Sequence, residues 1–301
     1  MIDLDRLTTE QRNAATLHID ELSVSDMLRT IHDEDRKVFE AVENALPMIA
    51  RAVEIIAVRL KKGGRLFYLG AGTSGRLGIL DAVECPPTFG TNPELVQGVI
   101  AGGMNAVFRA QEGAEDSLAL AQEDLRERGF GSSDVLCGIA ASGRTPYVVG
   151  GLDYARSLGA ATIAVACTPD SPIAALADIA ITAVTGPEVI TGSTRLKAGT
   201  AQKIILNMLS TGTMIRLGKV YGNLMVDVKS SNAKLEERAR RIVMEATERS
   251  RAEAEEALAK ASGSAKLAIL MLLANLPAEE AQRQLAAADG YIRRALKGGS
   301  S

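Results

Sequence analysis

The residues most able to do chemistry lie in a glycine-rich stretch after a short apolar run, "FYLGAGTSGRLG" at 67–78. Its glycines at 70, 72 and 75 have the G-x-G-x-x-G spacing of a dinucleotide-binding loop. Such a loop also needs an acid about 20 positions later, where the second strand ends, to bind the ribose hydroxyls. Here that strand ends "VIAGG", without an acid. The pattern therefore argues against a nicotinamide or flavin cofactor, and the hydroxyls of Thr73 and Ser74 suit a different phosphate or a sugar.

The tripeptide Ser-Gly-Arg occurs a second time, in "AASGRTP" at 140–146, again between a predicted strand and a predicted helix. Thr145 is expected as the N-cap of that helix and Pro146 as its first residue. Helix N-termini present free N–H groups and the positive end of the helix dipole, so they favour anions. A third hydroxyl-rich loop, "TGSTR" at 191–195, precedes a long helix.

Together the three loops favour a cradle for one phosphorylated small molecule, although ordinary capped helices would give the same pattern. The candidate ligands are hydroxyl side chains in these loops: Thr73, Ser74, Ser142, Thr145, Ser193 and Thr194. Arg76 and Arg144 are candidates to pair with a phosphate or a carboxylate. Either arginine could equally form a surface or interface salt bridge.

The composition of the 301-residue chain excludes several classes of function. Aromatic residues make up 3%, Trp is absent and the net charge is −3, which argues against binding to nucleic acid or to an anionic membrane. Three widely spaced cysteines and two histidines near the N-terminus argue against disulfides and metal sites. With neither a signal peptide nor a membrane span in the pattern, we expect a cytoplasmic protein whose proton transfers fall to carboxylates, Lys or Tyr.

Five short apolar segments alternate with helical patterns. The predicted strands lie at 65–70, 94–103, 134–143, 161–168 and 179–185. Helices are predicted between them at 75–85, where Pro86-Pro87 should stop the helix, at 105–129 and at 146–159. This alternation predicts an α/β fold with a doubly wound, mostly parallel five-stranded sheet, in which the strand-to-helix loops share one edge.

Helices are predicted on both sides of the strand region. An amphipathic helical segment at 23–64 is expected to break at Pro47, and an apolar helix is expected at 196–217 as core or subunit interface. The rest of the chain reads as a small helical C-terminal domain, with helices at 233–247, 249–261, 264–274 and 278–287 and a frayed tail from Leu296.

Longer motifs add a family resemblance. "GAGTSGR", "AASGRTP" and "TGSTRLKAGTAQK" resemble the SIS domain, a sugar isomerase fold that binds phosphosugars. Segments 9–13, 18–23, 64–90 and 186–212 resemble the N-acetylmuramic acid 6-phosphate etherases, and the likeness spans nearly the whole chain. We therefore predict an N-terminal arm with helices at 1–52, a SIS domain at 53–225 and a helical C-terminal domain at 226–301.

The resemblance implies a reaction. The family cleaves the ether between D-lactate and the sugar of N-acetylmuramic acid 6-phosphate with water, giving N-acetylglucosamine 6-phosphate and D-lactate in bacterial cell-wall recycling. It implies no metal and no redox cofactor. It also implies a homodimer that holds the phosphorylated amino sugar near the subunit interface.

The resemblance further assigns two carboxylates. Glu84, in "DAVECPP", would be the acid that protonates the departing lactate oxygen. Its expected place in the last turn of a helix agrees, because the negative end of the helix dipole favours a neutral carboxyl. Glu115, in "EGAEDS", would be the base, although Glu112 and Asp116 lie in the same acidic turn and the sequence alone does not choose among them. His18 is expected to be structural or to contribute across a dimer interface.

Two other functions fit the same fold. An aldose–ketose isomerase would move a proton between neighbouring carbons and expel nothing. A non-catalytic sensor would bind a sugar phosphate without turning it over, as the related vertebrate glucokinase regulatory protein does. The presence of both Glu84 and Glu115, and of a single SIS unit in the chain, favours the etherase.

Overall fold

The structure is a computed structural model that describes residues 8–111, 113–228 and 233–298. The chain divides into two compact units, one made of residues 1–83 and 94–210 and the other of residues 84–93 and 211–301. The three segments predicted from the sequence, 1–52, 53–225 and 226–301, stay a prediction.

A five-stranded sheet forms the core of the first unit. Its strands are β1 (Leu66–Gly70), β2 (Val96–Ile100), β3 (Val135–Ile139), β4 (Ala161–Ala166) and β5 (Ile179–Thr182). They are all parallel, in the order β2-β1-β3-β4-β5. Every residue of β1, β3 and β4 is buried, as expected of apolar strands covered on both faces. The predicted α/β fold and its five strands are confirmed.

Helices surround this sheet. They are α1 (Val24–Asp35), α2 (Lys37–Lys61), α3 (Gly72–Phe89), α4 (Asn105–Phe108), α5 (Leu118–Glu127), α6 (Pro146–Ser157), α7 (Pro172–Leu176) and α8 (Lys197–Arg216). One apolar core joins the strands to α5 and α6 through residues such as Leu69, Leu136, Val148 and Leu152. The predicted helices at 146–159 and 196–217 correspond to α6 and α8.

The expected break at Pro47 is wrong. Pro47 lies inside α2, and the helical segment is interrupted at Arg36 instead. A proline inside a helix leaves the carbonyl four residues earlier without its donor. Pro47 and Glu43 are both exposed, so that carbonyl lies on the solvent side of the helix, where the loss is tolerated.

The expected stop at Pro86-Pro87 is also wrong, because α3 continues through both prolines to Phe89. The fixed φ of proline, about −65°, is itself helical, so the helix can continue although each proline removes one hydrogen bond and its ring crowds the carbonyl four residues earlier. The helix ends where Gly90 adopts a positive φ of 63°. Glu84 is therefore not in the last turn of its helix, and the argument from the helix dipole loses its premise.

The continuous helix predicted at 105–129 is a third correction. Among the described residues of this stretch, only those of α4 and α5 are α-helical, with a short 3₁₀ turn at Ala114–Asp116 between them. Gly113 takes a left-handed φ of 80°, and the side chain of Ser117 caps α5 by accepting from the Leu120 N–H. Glu115 thus belongs to a turn and not to a helix face, while Glu112 lies outside the described residues.

Beyond the ends of α3 and α8, the described residues of the second unit form a hairpin and five further α-helices. These are β6 (Val220–Tyr221), β7 (Leu224–Met225), α9 (Ala233–Thr247), α10 (Arg251–Lys260), α11 (Ala265–Ala274), α12 (Ala278–Ala287) and α13 (Ile292–Leu296). α11 packs at the centre, with residues 265–271 all buried. The four predicted helices are confirmed, whereas the hairpin and α13 were not anticipated.

Membrane-spanning segments were sought within the described ranges. None of the individual helices there combines the length and the apolar character needed to cross a bilayer. The pair α10 and α11 meets both criteria only when taken together, across a bend of 113°.

Candidate active site

The order of the strands determines where a ligand can bind. In an open α/β sheet of order 2-1-3-4-5, the connections from β1 and β3 diverge and leave a crevice at the carboxyl ends of these two strands. The structure has a cleft of about 450 Å³ there. It is lined by Glu10, Ala71, Gly72, Thr73, Ser74, Glu115, Asp116, Ala140, Ala141, Ser142, Arg144, Thr145, Pro146 and Thr194.

The glycines of the first loop shape the turn from β1 into α3. A Cβ on Gly70 would lie 2.8 Å from the Gly75 nitrogen, and one on Gly75 would lie 2.7 Å from the Gly70 oxygen. Gly72 adopts a left-handed φ of 52°, with open space around its missing Cβ. The G-x-G-x-x-G spacing therefore serves a tight strand-to-helix turn, and it brings the first turn of α3 to the cleft.

The second loop forms a comparable turn from β3 into α6. Gly143 has a φ of 67°, and a Cβ there would lie 2.2 Å from the Cβ of Ser171. As predicted, Thr145 is the N-cap residue and Pro146 opens the helix. The Thr145 side chain makes no capping hydrogen bond. Its hydroxyl is thus positioned to act on a ligand, whereas the Val148 and Val149 N–H groups of the first turn bond to the Thr145 carbonyl.

The predicted hydroxyl ligands differ in their surroundings. Ser74 is 8% exposed and donates to Oε1 of Gln202 over 2.8 Å, whereas Thr73 and Ser142 are half-buried. From the third loop only Thr194 lines the cleft, and Ser193 is not among the lining residues.

A buried carboxylate holds the third loop in place. Glu188 is 1% exposed and accepts from the backbone N–H groups of Lys197 and Ala198, at 3.0 and 2.9 Å. Burial raises the pKa of Glu188 in spite of these donors. The positive end of the α8 dipole is therefore met by a protein carboxylate, whereas the N-termini of α3 and α6 lie at the cleft.

Lys197 has a structural partner in this region. It is fully buried, and its Nζ lies 2.7 Å from Oε2 of Glu34. Glu34 also accepts from Lys37 and Asn13, at 2.6 and 2.8 Å. Burial opposes ionisation of Glu34, but these donors outweigh it and lower its pKa to about 2.

Asp81 anchors α3 from within the first unit. Its carboxylate accepts from the Tyr68 hydroxyl, from Asn207 and from Ser210, at 2.9, 2.7 and 3.0 Å. Burial raises the pKa of Asp81, and the three donors act against that rise. The arrangement ties β1, α3 and α8 together.

The carboxylates predicted for catalysis lie in different places. Glu115 is exposed and lines the cleft from the turn before α5, beside Asp116. Glu84 is an exposed residue of α3 that belongs to the second unit, and it is not among the residues that line the cleft. His18, which is also exposed, has its Nδ1 3.3 Å from a carboxylate oxygen of Glu21.

The two predicted arginines also lie in different surroundings. Arg144 is exposed and lines the cleft, so it is available to an anion there. Arg76 is not among the lining residues, and its Nε donates to the carbonyl of Val107 over 3.0 Å. The structure gives Arg76 a role in fixing the start of α3 against the chain after β2.

Sequence reasoning missed two functional candidates, Glu10 and Gln202. Glu10 lines the cleft, and a Cβ on Gly192 would lie 3.0 Å from its Oε2. Glu10 belongs to "TEQRN", a segment that contributed to the family resemblance but has no residue pattern typical of a binding site. Gln202 is 1% exposed and lies in α8 between Ala201 and Lys203, where no local pattern singles it out. In the described part of the chain, no group of three His, Cys, Asp or Glu could hold a metal ion.

Known proteins resemble this chain in sequence and in fold. Residues 48–156 match the family "Glucokinase regulatory protein N-terminal SIS domain", residues 106–212 match "SIS domain", and residues 222–267 match "C-terminal lid domain of glucokinase regulatory protein". The chain is 59% identical to the N-acetylmuramic acid 6-phosphate etherase of Photobacterium profundum, over 99% of both chains. It is also 59% identical to the etherase of Pasteurella multocida, over 96% of both.

A solved structure supports the fold independently. A phosphoheptose isomerase from Francisella tularensis matches with a TM-score of 0.50 and 16% identity, covering 64% of this chain and all of that one. At this identity the likeness concerns the fold of the sheet region alone.

Proposed function

Because the chain belongs to the N-acetylmuramic acid 6-phosphate etherase family and is a carbon–oxygen lyase, we propose that the cleft after β1 and β3 binds the phosphorylated amino sugar and cleaves its lactyl ether there. The observation that carries this proposal is a carboxylate, Glu115, beside two hydroxyl-bearing helix N-termini in one cleft. The products are N-acetylglucosamine 6-phosphate and D-lactate, which places the reaction in amino-sugar recycling.

The phosphate is held by the two strand-to-helix turns. The N-termini of α3 and α6 supply N–H groups and positive dipole ends, which favour an anion. The hydroxyls proposed to donate to it are those of Thr73, Ser74, Ser142, Thr145 and Thr194, with Arg144 supplying the positive charge. Ser193 and Arg76 are kept as secondary candidates, since neither lines the cleft.

The chemistry is an elimination followed by an addition. In the ring-opened sugar, the carbon that bears the acetamido group lies next to an aldehyde, so its proton is acidic. Glu115 takes that proton, and the electron pair forms a double bond as the carbon–oxygen bond to lactate breaks. The family resemblance assigns to Glu84, which does not line this cleft, the role of giving its proton to the departing lactate oxygen, and water then adds across the double bond. The acid must be protonated and the base ionised when the reaction begins, and this is the division of roles proposed for Glu84 and Glu115.

A direct assay tests this function. The protein should release D-lactate from N-acetylmuramic acid 6-phosphate and far less from the sugar that lacks the phosphate, because the two turns bind the phosphate. Release of a ketose phosphate without lactate would instead indicate an isomerase. Binding without any product would indicate a sensor, and either result would overturn the proposal.

We also propose that the protein acts as a homodimer in the cytoplasm. An apolar groove in the first unit, with a volume of about 480 Å³, is lined in part by Met27 and Ile31 of α1. The same helix exposes Val24 and Leu28, at 69% and 56%. A second copy covering this face would remove the apolar surface from water, and the molar mass measured by light scattering would reveal it. The three cysteines are all buried, and none of them is joined to another in a disulfide, which suits a reducing compartment.

A further inference from the structure

Ser74 lines the cleft, but its hydroxyl proton is directed at Gln202. The Ser74 Oγ donates to Oε1 of Gln202 over 2.8 Å. A hydroxyl has one proton and two lone pairs, so in this arrangement Ser74 offers a ligand only lone pairs. A phosphate dianion likewise presents acceptor oxygens. The arrangement seen here is therefore unsuited to binding phosphate through Ser74.

The other half of the Gln202 amide has no partner among the described residues. Gln202 is 1% exposed, and its Nε2 is a buried nitrogen for which that part of the chain supplies no acceptor. A buried amide N–H left unpaired costs free energy, and such groups are rare in folded proteins. One half of this amide is thus bonded to a residue of the cleft, while its donor half is unused.

We propose that Gln202 is a positioning residue, which donates from Nε2 to Ser74 Oγ in the phosphate-bound state so that Ser74 donates its proton to the phosphate. The amide reaches this state by turning about its last torsion, which is soft in Gln. The Ser74–Gln202 pair keeps one hydrogen bond, and a second bond forms from Ser74 to the phosphate. One of the two Nε2 protons gains an acceptor and Oε1 loses its donor, and under-satisfied carbonyls are less rare in folded proteins than orphaned N–H groups. This inference rests on the proposed function, in that the cleft takes a phosphorylated sugar.

Two substitutions separate this role from simple packing. In Gln202→Glu the carboxylate only accepts, so it holds the Ser74 proton away from the phosphate. In Gln202→Met the side chain keeps a similar volume and does not compete for the proton, so Ser74 is free to donate to the phosphate. The added negative charge of Glu also acts on phosphate directly, and Ser74→Ala provides the background that measures this effect alone.

The experiment is a calorimetric titration of N-acetylglucosamine 6-phosphate into the wild type, the three single variants and the Ser74→Ala/Gln202→Glu double variant. We expect Gln202→Glu to weaken binding by about tenfold, the scale of one hydrogen bond to a charged group, and Gln202→Met to weaken it by less than about threefold. In the Ser74→Ala background, Gln202→Glu should have clearly less effect than it has when Ser74 is present. The proposal would be overturned if Gln202→Glu and Gln202→Met weakened binding equally, or if Gln202→Glu weakened it by the same factor with and without Ser74. It would also be overturned if the wild type did not bind the sugar phosphate.

A second measurement does not require Gln202→Glu to fold. Wild-type protein with ¹⁵N in its glutamine side chains is titrated with the same sugar phosphate, and Gln202→Met identifies the Gln202 signal. One of its Nε2 proton resonances should move downfield as that proton gains a partner, and an unmoved signal in the saturated protein would contradict the inference. Both measurements depend on binding alone. If the protein binds the sugar phosphate but releases no lactate, the proposed function is wrong, and the binding experiments still test the role of Gln202.

Discussion

At the scale of residues, the cleft holds more carboxylates than the reaction needs. Glu10, Glu115 and Asp116 all line it, and the proposed substrate is itself an anion. Only one of them is required to take the proton, and the others are suited to accept hydrogen bonds from sugar hydroxyls or from the acetamido N–H. The proposed base is therefore a choice among neighbours that single substitutions can test.

Replacing Glu115 by Gln removes the proposed base while preserving the shape of the side chain. Turnover should fall by at least about 100-fold, the usual scale for a lost acid–base group, with a folded protein and a small change in KM. The matched control is Asp116→Asn, one position along the same turn, which should retain turnover within about threefold. If the control loses turnover and Glu115→Gln keeps it, the base is Asp116.

Replacing Glu84 by Gln tests the proposed acid. A group that protonates the leaving oxygen acts in the breaking of the carbon–oxygen bond, so turnover should again fall by at least about 100-fold. Exchange of the proton next to the aldehyde should persist, since Glu115 remains. Near-normal lactate release by this variant would remove Glu84 from the mechanism.

At the scale of elements, two strand-to-helix turns create the cleft, and glycines permit them. The sequence predicted that both loops follow strands and open helices, and it predicted Thr145 and Pro146 at their positions in α6. It could not show which glycine of G-x-G-x-x-G is required because a Cβ would clash and which because its φ is positive. Nor could it place Glu115 in a turn. The apolar residues on both sides of Gly113 keep a helical spacing, so the pattern predicted one continuous helix where the structure has a break.

The glycines of the first turn give a contrasted pair of substitutions. In Gly75→Ala, the new Cβ would lie 2.7 Å from the Gly70 oxygen and 2.6 Å from Cγ1 of Ile100. This clash should cost more than about 2 kcal/mol in the free energy of unfolding. Gly72→Ala has open space and only the strain of a positive φ, which should cost about 1 kcal/mol. Urea unfolding of both variants checks the order, and equal losses would contradict it.

The buried pair of Glu34 and Lys197 joins α1 to α8. Lys197→Met leaves Glu34 buried without its main partner, which should lower the free energy of unfolding by about 3 kcal/mol. Lys203→Met, an exposed lysine on the same helix, should change it by less than about 0.5 kcal/mol. Similar losses for the two variants would contradict a stabilising buried pair.

The same pair predicts a pH dependence with a defined sign. The pKa of Glu34 falls from 4.5 to about 2 on folding, so its contribution is present above pH 4.5 and is lost as the pH falls through about 2. The difference in stability between the wild type and Lys197→Met should therefore shrink between pH 4.5 and pH 2. A difference that stays constant over this range would show that Glu34 is not the partner that Lys197 stabilises.

At the scale of the whole molecule, the sequence predicted the fold class, the strands and four C-terminal helices. The wrong breaks at Pro47 and Pro86-Pro87 came from weighing these prolines without their surroundings, and the missed break came from leaving Gly113 out of account. Proline's fixed φ is helical, and the carbonyls that lose their donors to Pro47 and Pro87 belong to the exposed Glu43 and Val83, whereas the one that loses its donor to Pro86 belongs to the buried Ala82. Glu10 and Gln202 were missed because only folding brings residues so distant in the chain to one cleft or one buried contact.

The measurement that tests the central claim most directly is turnover of N-acetylmuramic acid 6-phosphate in heavy water. Elimination followed by hydration predicts D-lactate together with N-acetylglucosamine 6-phosphate that carries deuterium on the carbon bearing the acetamido group. Glu115→Gln should abolish both signals together. Lactate released with no deuterium at that carbon would contradict proton abstraction by Glu115 and the mechanism built on it.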